Sequence, residues 1–313
     1  MLATDQIERL VTGLLGGTPR ALSRAITLVE NETPEAAAIQ AAIQTAVGGA
    51  VTVGITGPPG AGKSTLVNAF IGELRARDLT VGVIAVDPSS PLTGGAILGD
   101  RIRMAEHSGD PGVFIRSLAA RGHLGGLTRT AGRIVDVMDA AGLNVVLIET
   151  VGAGQSEVEV ADVAATKIVV SAPGLGDDVQ AIKAGILEIA DILVVNKFDL
   201  PMAQQTKKAL SAMLHLRDAR AAPVEVIGTI ATTGDGIAEL TDAVLAHDQS
   251  LRQAGGVIDP TPRIRRNLSE AVSQVAGARL RALASDDLND IIDAIQRGEV
   301  DYTTAAKRIL DHG

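Results

Sequence analysis

The sequence predicts an α/β protein: a mainly parallel sheet flanked by helices, with helical N- and C-terminal extensions. Three observations carry that expectation. From Val51 to about Asp248, apolar runs rich in Val, Ile and Leu alternate with helical-looking segments. Runs of that kind, without polar alternation, indicate strands buried on both faces of a parallel sheet. Between one such run and the helical stretch Ser64 to Arg75 lies Gly57-Pro58-Pro59-Gly60-Ala61-Gly62-Lys63-Ser64-Thr65, which fits G-x-x-x-x-G-K-[ST] at every required position. Both ends of the chain, finally, carry apolar residues at the one-face spacing of a helix.

The N-terminal extension covers residues 1–47. Ile7, Leu10, Val11, Leu14 and Leu15 form a first stripe. Thr18-Pro19 opens a second, with Leu22, Ala25, Ile26 and Val29, and Thr33-Pro34-Glu35 a third, with Ile39, Ile43 and Val47. Threonine followed by proline suits a helix start, since proline there gives up an N–H that has no partner anyway. The extension serves either as packing that covers the sheet or as a partner surface.

The nucleotide-binding domain is expected over 48–250. Its candidate strands are Val51–Thr56, Thr80–Val86, Val113–Arg116, Asn144–Glu149, Lys167–Ala172, Asp191–Asn196 and Val224–Ile230. Ligands of such sheets sit beyond the carboxyl ends of the strands. The glycine-rich loop, Asp87, Glu149 and Asn196 all fall there. After Pro260-Thr-Pro262 the chain turns helical again, within a C-terminal extension over 251–313. Leu288, Ile291, Ile292 and Ile295 make one stripe, closed by Gly298; Tyr302, Ala305, Ala306, Ile309 and Leu310 make another. This extension suits a dimerisation element, or docking back on its own chain.

Composition narrows the field. Aromatic residues are 1% of the 313, so the core must be built from aliphatic side chains, and the stacking platforms of single-strand nucleic-acid binders are missing. A net charge of −9 also argues against a polyanionic partner. With no cysteine there is neither a disulfide nor a thiolate metal site. No secretory signal is visible at the N-terminus, and no apolar run approaches the roughly 18 residues that span a bilayer. The expectation is a soluble cytoplasmic protein with no membrane and no nucleic-acid partner.

The glycine-rich loop carries the chemistry. Glycines let the backbone of Gly57 through Gly62 wrap a phosphate chain, with N–H groups pointing inward at a helix N-terminus. Lys63 would reach the β- and γ-phosphates, and the Ser64 hydroxyl would bind Mg²⁺, with Thr65 completing the motif. The chain therefore reads as a P-loop NTPase. Asn196-Lys197-Phe198-Asp199 selects the base. A carboxylate at Asp199 can accept from guanine N1–H and the exocyclic amine, whereas adenine has neither donor there. Lys197 can lie over the base and Asn196 can brace neighbouring loops.

Further acids sit where a metal would. Glu149 ends a strand and Gly152 follows, placing a carboxylate for Mg²⁺ and an N–H for the γ-phosphate. Ras-type proteins have aspartate in that D-x-x-G motif and a glutamine directly after it; here Gln155 comes three residues later, so the water-orienting role is not carried to it. Asp87 and Asp100 are further candidate Mg²⁺ ligands, with Arg101 and Arg103 able to neutralise phosphate charge.

Five motifs in this order resemble the methylmalonyl-CoA mutase-associated GTPases, the MeaB/ArgK group: Gly57–Thr65, Asp87-Pro-Ser-Ser90, Gly94-Gly95-x-Ile97-Leu98-Gly99-Asp100, Glu149-Thr-Val-Gly-x-Gly-Gln-Ser156 and Asn196-Lys-x-Asp199. The resemblance covers nearly the whole chain, including the helical N-terminus and Asp301-Tyr-Thr-Thr-Ala-Ala306. It implies a homodimeric GTPase, with GTP as substrate and Mg²⁺ as cofactor, that escorts a B12-dependent acyl-CoA mutase. GTP hydrolysis would gate loading of adenosylcobalamin, which belongs to the partner, and protect or reactivate that enzyme. Lys63, Asp100 and Glu149 would be the catalytic residues. The segment Pro173 to Lys183 resembles the family's relay to the mutase, with Asp177 and Lys183 as responders; spacing alone gives an ordinary loop.

One departure concerns the base. The family often has Ser-Ala where this chain has Ile230 and Ala231, followed by Thr232. The contact to guanine O6 comes from a backbone N–H, so Ala231 can still serve, but a serine-dependent brace is lost and weaker affinity is expected. Without an assured arginine finger, free turnover should be slow, and the mutase should accelerate it by ordering the loops around Asp87–Arg103 and Gly152–Gln155. Two other classes compete with this reading. A metal-delivery GTPase of the hydrogenase or urease maturation kind needs Cys/His ligands, and this chain has no cysteine and five scattered histidines. A P-loop small-molecule kinase needs an acceptor site, for which no motif is readable.

Overall fold

The apolar runs pair as a seven-stranded sheet in the order β3-β2-β4-β1-β5-β6-β7. Its strands are β1 (Val51–Thr56), β2 (Val81–Pro88), β3 (Val113–Ala120), β4 (Val145–Thr150), β5 (Thr166–Ser171), β6 (Ile192–Val195) and β7 (Glu225–Gly228). Every pairing between neighbours is parallel. The structure is a computed structural model and describes residues 4–88, 105–107, 109–120, 126–150, 163–174, 189–214, 224–255, 261–283 and 285–311. Within them the chain divides into two compact units, Met1–Ile258 and Asp259–Gly313.

Period-two alternation along each strand assigns its side chains to two layers. On one face Val53, Ile55, Val83, Val145, Leu147, Ile168 and Val170 meet Leu66, Phe70, Ile71 and Leu74 of α4 (Lys63–Ala76). With them pack Ile237, Leu240 and Val244 of α7 (Ile237–Gly255). Phe70, fully buried, is the one aromatic at the centre of this aliphatic layer. On the other face Ile84, Val86, Val146 and Ile148 meet α5 (Gly126–Ala140) and the N-terminal helices α1 (Thr4–Leu15), α2 (Pro19–Glu30) and α3 (Pro34–Ile43). Beyond β5 that face is covered by α6 (Ala203–Leu214). The N-terminal helices thus bury Leu14, Ile26, Val29 and Ile39 in the same core as the sheet. Leu15, placed in the first stripe by spacing, is 46% exposed, because α1 ends there and its burying face has turned past.

The link between the extension and β1 is clamped from both sides. Asp139 at the end of α5 accepts the N–H groups of Gly48, Gly49 and Ala50. Arg252 donates to the carbonyls of Gly48 and Gly49 and is itself held by Asp248. Three donors lose their acceptor if that carboxylate is removed, at about 1–3 kcal/mol for each group left buried. Asp139→Ala is therefore expected to cost about 2–4 kcal/mol, read as a lowered denaturant midpoint with unchanged slope. Elsewhere Arg75 of α4 pairs with Asp110, holding that carboxyl below its usual range through the Arg75 hydrogen bond and the Gly112 N–H. The sign follows: this contribution is present above the ordinary carboxylate range and lost as pH falls through the lowered value.

In the second unit, α8 (Thr261–Ala282), α9 (Ser285–Gln296) and α10 (Tyr302–Asp311) follow one another. Ala294, Val300 and Ala305 form a small core with Ile291 and Ile295, between α9 and α10. Asp301 caps α10, accepting the N–H groups of Thr303 and Thr304 and the Thr304 hydroxyl, which lowers its pKa. Four residues that spacing put on the apolar stripes, Ile292, Tyr302, Ala306 and Leu310, are exposed.

Candidate functional site

β1 runs through the middle of the sheet, between β4 and β5, and the chain leaves its carboxyl end through residues 57–62 into α4. Two glycines there are demanded by packing alone. Gly57 has φ +144, and a Cβ on it would lie 2.1 Å from the Val170 carbonyl oxygen of β5. Gly62, the left-handed N-cap of α4 at φ +88, would put a Cβ 2.5 Å from Asn196 Nδ2. Only glycine meets both demands, so the loop is pressed onto the strands that carry the other motifs.

Lys63 is buried, and its ammonium donates to the carbonyls of Gly57 at 2.6 Å and Pro58 at 3.1 Å. Pro58 and Ala61 are buried, while Pro59, Gly60 and Thr65 are exposed at the mouth. Glu149 follows from the alternation on β4. It shares the face of Val145 and Leu147, which looks at α4, and stands in register with Ile55 of β1 and Ala85 of β2. There, 1% exposed, it accepts the Ser64 hydroxyl at 2.6 Å. A hydroxyl and a carboxylate at the first turn of a helix make a hard-oxygen pair, and the positive end of the helix dipole lies beside them.

Asn196 ties three loops together. Its amide donates to the carbonyls of Ala61 at 3.0 Å and Gly62 at 3.4 Å, and its oxygen accepts the Thr229 hydroxyl at 3.1 Å and the Ala231 N–H at 3.2 Å. Lys197 donates to the Gly60 carbonyl at 2.8 Å, laying its stem across the phosphate loop. Asp199 is exposed beside it. Ile230 to Asp235 closes a tight turn that carries Ala231 and Thr232 on the same side.

The hydroxyl brace expected to be lost with Ile230 is supplied by Thr229, one residue earlier and fully buried. Sequence reasoning missed it by looking only at the position of the family's serine. The Ala231 N–H, expected at guanine O6, is given to Asn196 here. Asp87 lies on β2 two positions beyond Ala85, the register partner of Glu149; its side chain is outside the described residues. So are Asp100, Arg101, Arg103, Gly152, Gln155, Asp177 and Lys183. The described site thus brings together Gly57 through Thr65, Glu149, Asn196, Lys197, Asp199 and the turn of Ile230, Ala231 and Thr232.

Known proteins are similar to this chain in sequence and in fold. Residues 22–286 match the family described as "Methylmalonyl Co-A mutase-associated GTPase MeaB". The Pyrococcus horikoshii protein named "Putative GTPase PH0274" is 44% identical over 310 residues, covering 97% of this chain and 98% of the other. The mouse protein named "Methylmalonic aciduria type A homolog, mitochondrial" is 37% identical, over 80% of this chain and 65% of its own length. Among solved structures, that of a LAO/AO transport system kinase superposes with a TM-score of 0.71 at 27% identity, covering 100% of this chain and 99% of that one.

Proposed function

The chain belongs to the MeaB family of methylmalonyl-CoA mutase-associated GTPases, and from that premise we propose a GTP-driven chaperone of a B12-dependent acyl-CoA mutase. The observation that carries the hydrolytic part is the Ser64–Glu149 hydrogen bond of 2.6 Å, which fixes a hydroxyl and a carboxylate beside the phosphate loop. That oxygen pair suits Mg²⁺, which the Ser64 hydroxyl and the carboxylates of Glu149, Asp87 and Asp100 would hold. When bound, the ion neutralises charge on the β- and γ-phosphates. Lys63 exchanges the Gly57 and Pro58 carbonyls for phosphate oxygens, and the amides of Gly60 through Ser64 stabilise charge on the transferred phosphoryl group. Gly152 contributes an N–H to the γ-phosphate. Asp199 takes guanine N1–H and the amine, Lys197 lies over the base, and the Ile230–Thr232 turn faces O6.

The family's described association with a mutase supports the partner. Nucleotide state can gate adenosylcobalamin delivery only if the mutase binds the GTP and GDP forms with different affinity. Homodimer formation is the reading for the second unit, whose α8 leaves Leu268, Val272 and Val275 exposed along one helical face. A cytoplasmic site of action completes it; among the described residues no helix is long and apolar enough to cross a membrane.

The test is GTP hydrolysis with and without a candidate methylmalonyl-CoA mutase or a close relative. The expected result is acceleration of about tenfold, a barrier lowered by about 1.4 kcal/mol, with a complex that depends on the bound nucleotide. No change in rate and no nucleotide-dependent complex would discard the chaperone. A phosphorylated acceptor in place of free phosphate would turn the reading toward a kinase.

A further inference from the structure

We propose that Phe198 is the positioning residue of the base-reading loop, its ring seated on Gly228 so that position 228 must lack a side chain. The proposal rests on the reading that Asp199 recognises guanine. Phe198 stands at the unspecified position of its motif, so the motif assigns it nothing. The residue before it does need support: Lys197 has φ +55, a left-handed conformation uncommon for a residue with a side chain. Backbone bonds hold the turn from both ends, with the Leu200 N–H on the Lys197 carbonyl and the Phe198 N–H on the Thr229 carbonyl, each at 3.0 Å.

The ring supplies the rest. It packs against the buried cluster of Val169, Ala190, Leu193, Val195 and Leu210, to which β6 and α6 both contribute. A Cβ built on Gly228, the last residue of β7, would stand 2.8 Å from two of its carbons and 2.9 Å from a third. From α6, the Lys207 ammonium lies 5.8 Å from the ring centroid, within range of a cation–π contact. Strand, helix and ring thus fix the backbone on which Asp199 is the very next residue. Gly228 is extended backbone, so a side chain there would be resisted by the ring and by nothing in its own dihedral angles.

Binding of GDP and IDP to the full-length protein, by calorimetry, reads this directly, because inosine lacks the exocyclic amine that Asp199 would accept. The parent is expected to favour GDP by about tenfold or more. Phe198→Ala should reduce that preference to about threefold or less, and Phe198→Leu should keep most of it. Gly228→Ala should reproduce the loss in the parent background and add nothing to Phe198→Ala, the non-additivity that a shared contact requires. A folded Phe198→Ala protein with the parent's preference would overturn the proposal, as would a Gly228→Ala effect that adds fully to it. A parent that does not distinguish GDP from IDP would instead sink the guanine reading itself.

Discussion

Lys63→Ala is expected to lower kcat/KM for GTP by about 10²–10³-fold, the usual consequence of removing one preorganised donor to developing charge. In the structure the ammonium donates to the Gly57 and Pro58 carbonyls at the foot of the loop. On binding, those carbonyls would be traded for β- and γ-phosphate oxygens, on which charge develops as the phosphoryl group leaves. Losing the lysine removes a full positive charge from a buried position, where little water can replace it. Folding should survive, since Gly57 and Gly62 are also fixed by contacts with β5 and Asn196 that do not involve Lys63. Steady-state phosphate release measures the effect, and thermal melting checks the fold. A stable variant retaining more than about a tenth of the parent's activity contradicts the assigned role.

The sheet was legible because parallel strands bury both faces and so announce themselves by composition. β1 runs over the same six residues in sequence and structure, Val51–Thr56. β3 runs on to Ala120 where Arg116 was expected to end it, since Ser117-Leu-Ala-Ala lacks the β-branched density that marks a strand; pairing with β2 extends it anyway. The long helix α8, Thr261–Ala282, gave no apolar stripe strong enough to be named, because its Leu268, Val272 and Val275 are diluted by arginine and serine and lie exposed. The site divides in the same way. Gly57 through Thr65, Glu149, Asn196 and Asp199 are motif residues at strand ends, visible from spacing. Thr229 and the Asp139–Arg252 clamp act through contacts between segments far apart in the chain, and no local pattern encodes such partners.

Asp199→Asn should invert base preference, weakening GTP by about 10²-fold and making xanthosine triphosphate the better substrate. A carboxylate offers two acceptors to guanine's two donors. The amide keeps one acceptor for N1–H but turns a donor toward the exocyclic amine, so two N–H groups face each other. Xanthine carries an oxygen where guanine carries that amine, and restores the pairing. Because Asp199 is exposed and bears no part of the core, stability should change little, and any loss of GTP activity reports recognition. Ratios of kcat/KM for the two nucleotides, in parent and variant, decide the matter. Equal loss of both substrates would mean that the substitution had disturbed the site as a whole and not the reading of the base. Undiminished GTP turnover, or ATP competing with GTP on equal terms in the parent, would mean that the base is read elsewhere. The triphosphate grip at Lys63 and Ser64 would stand in that case, since it is built from β1, β4 and α4 and owes nothing to the base.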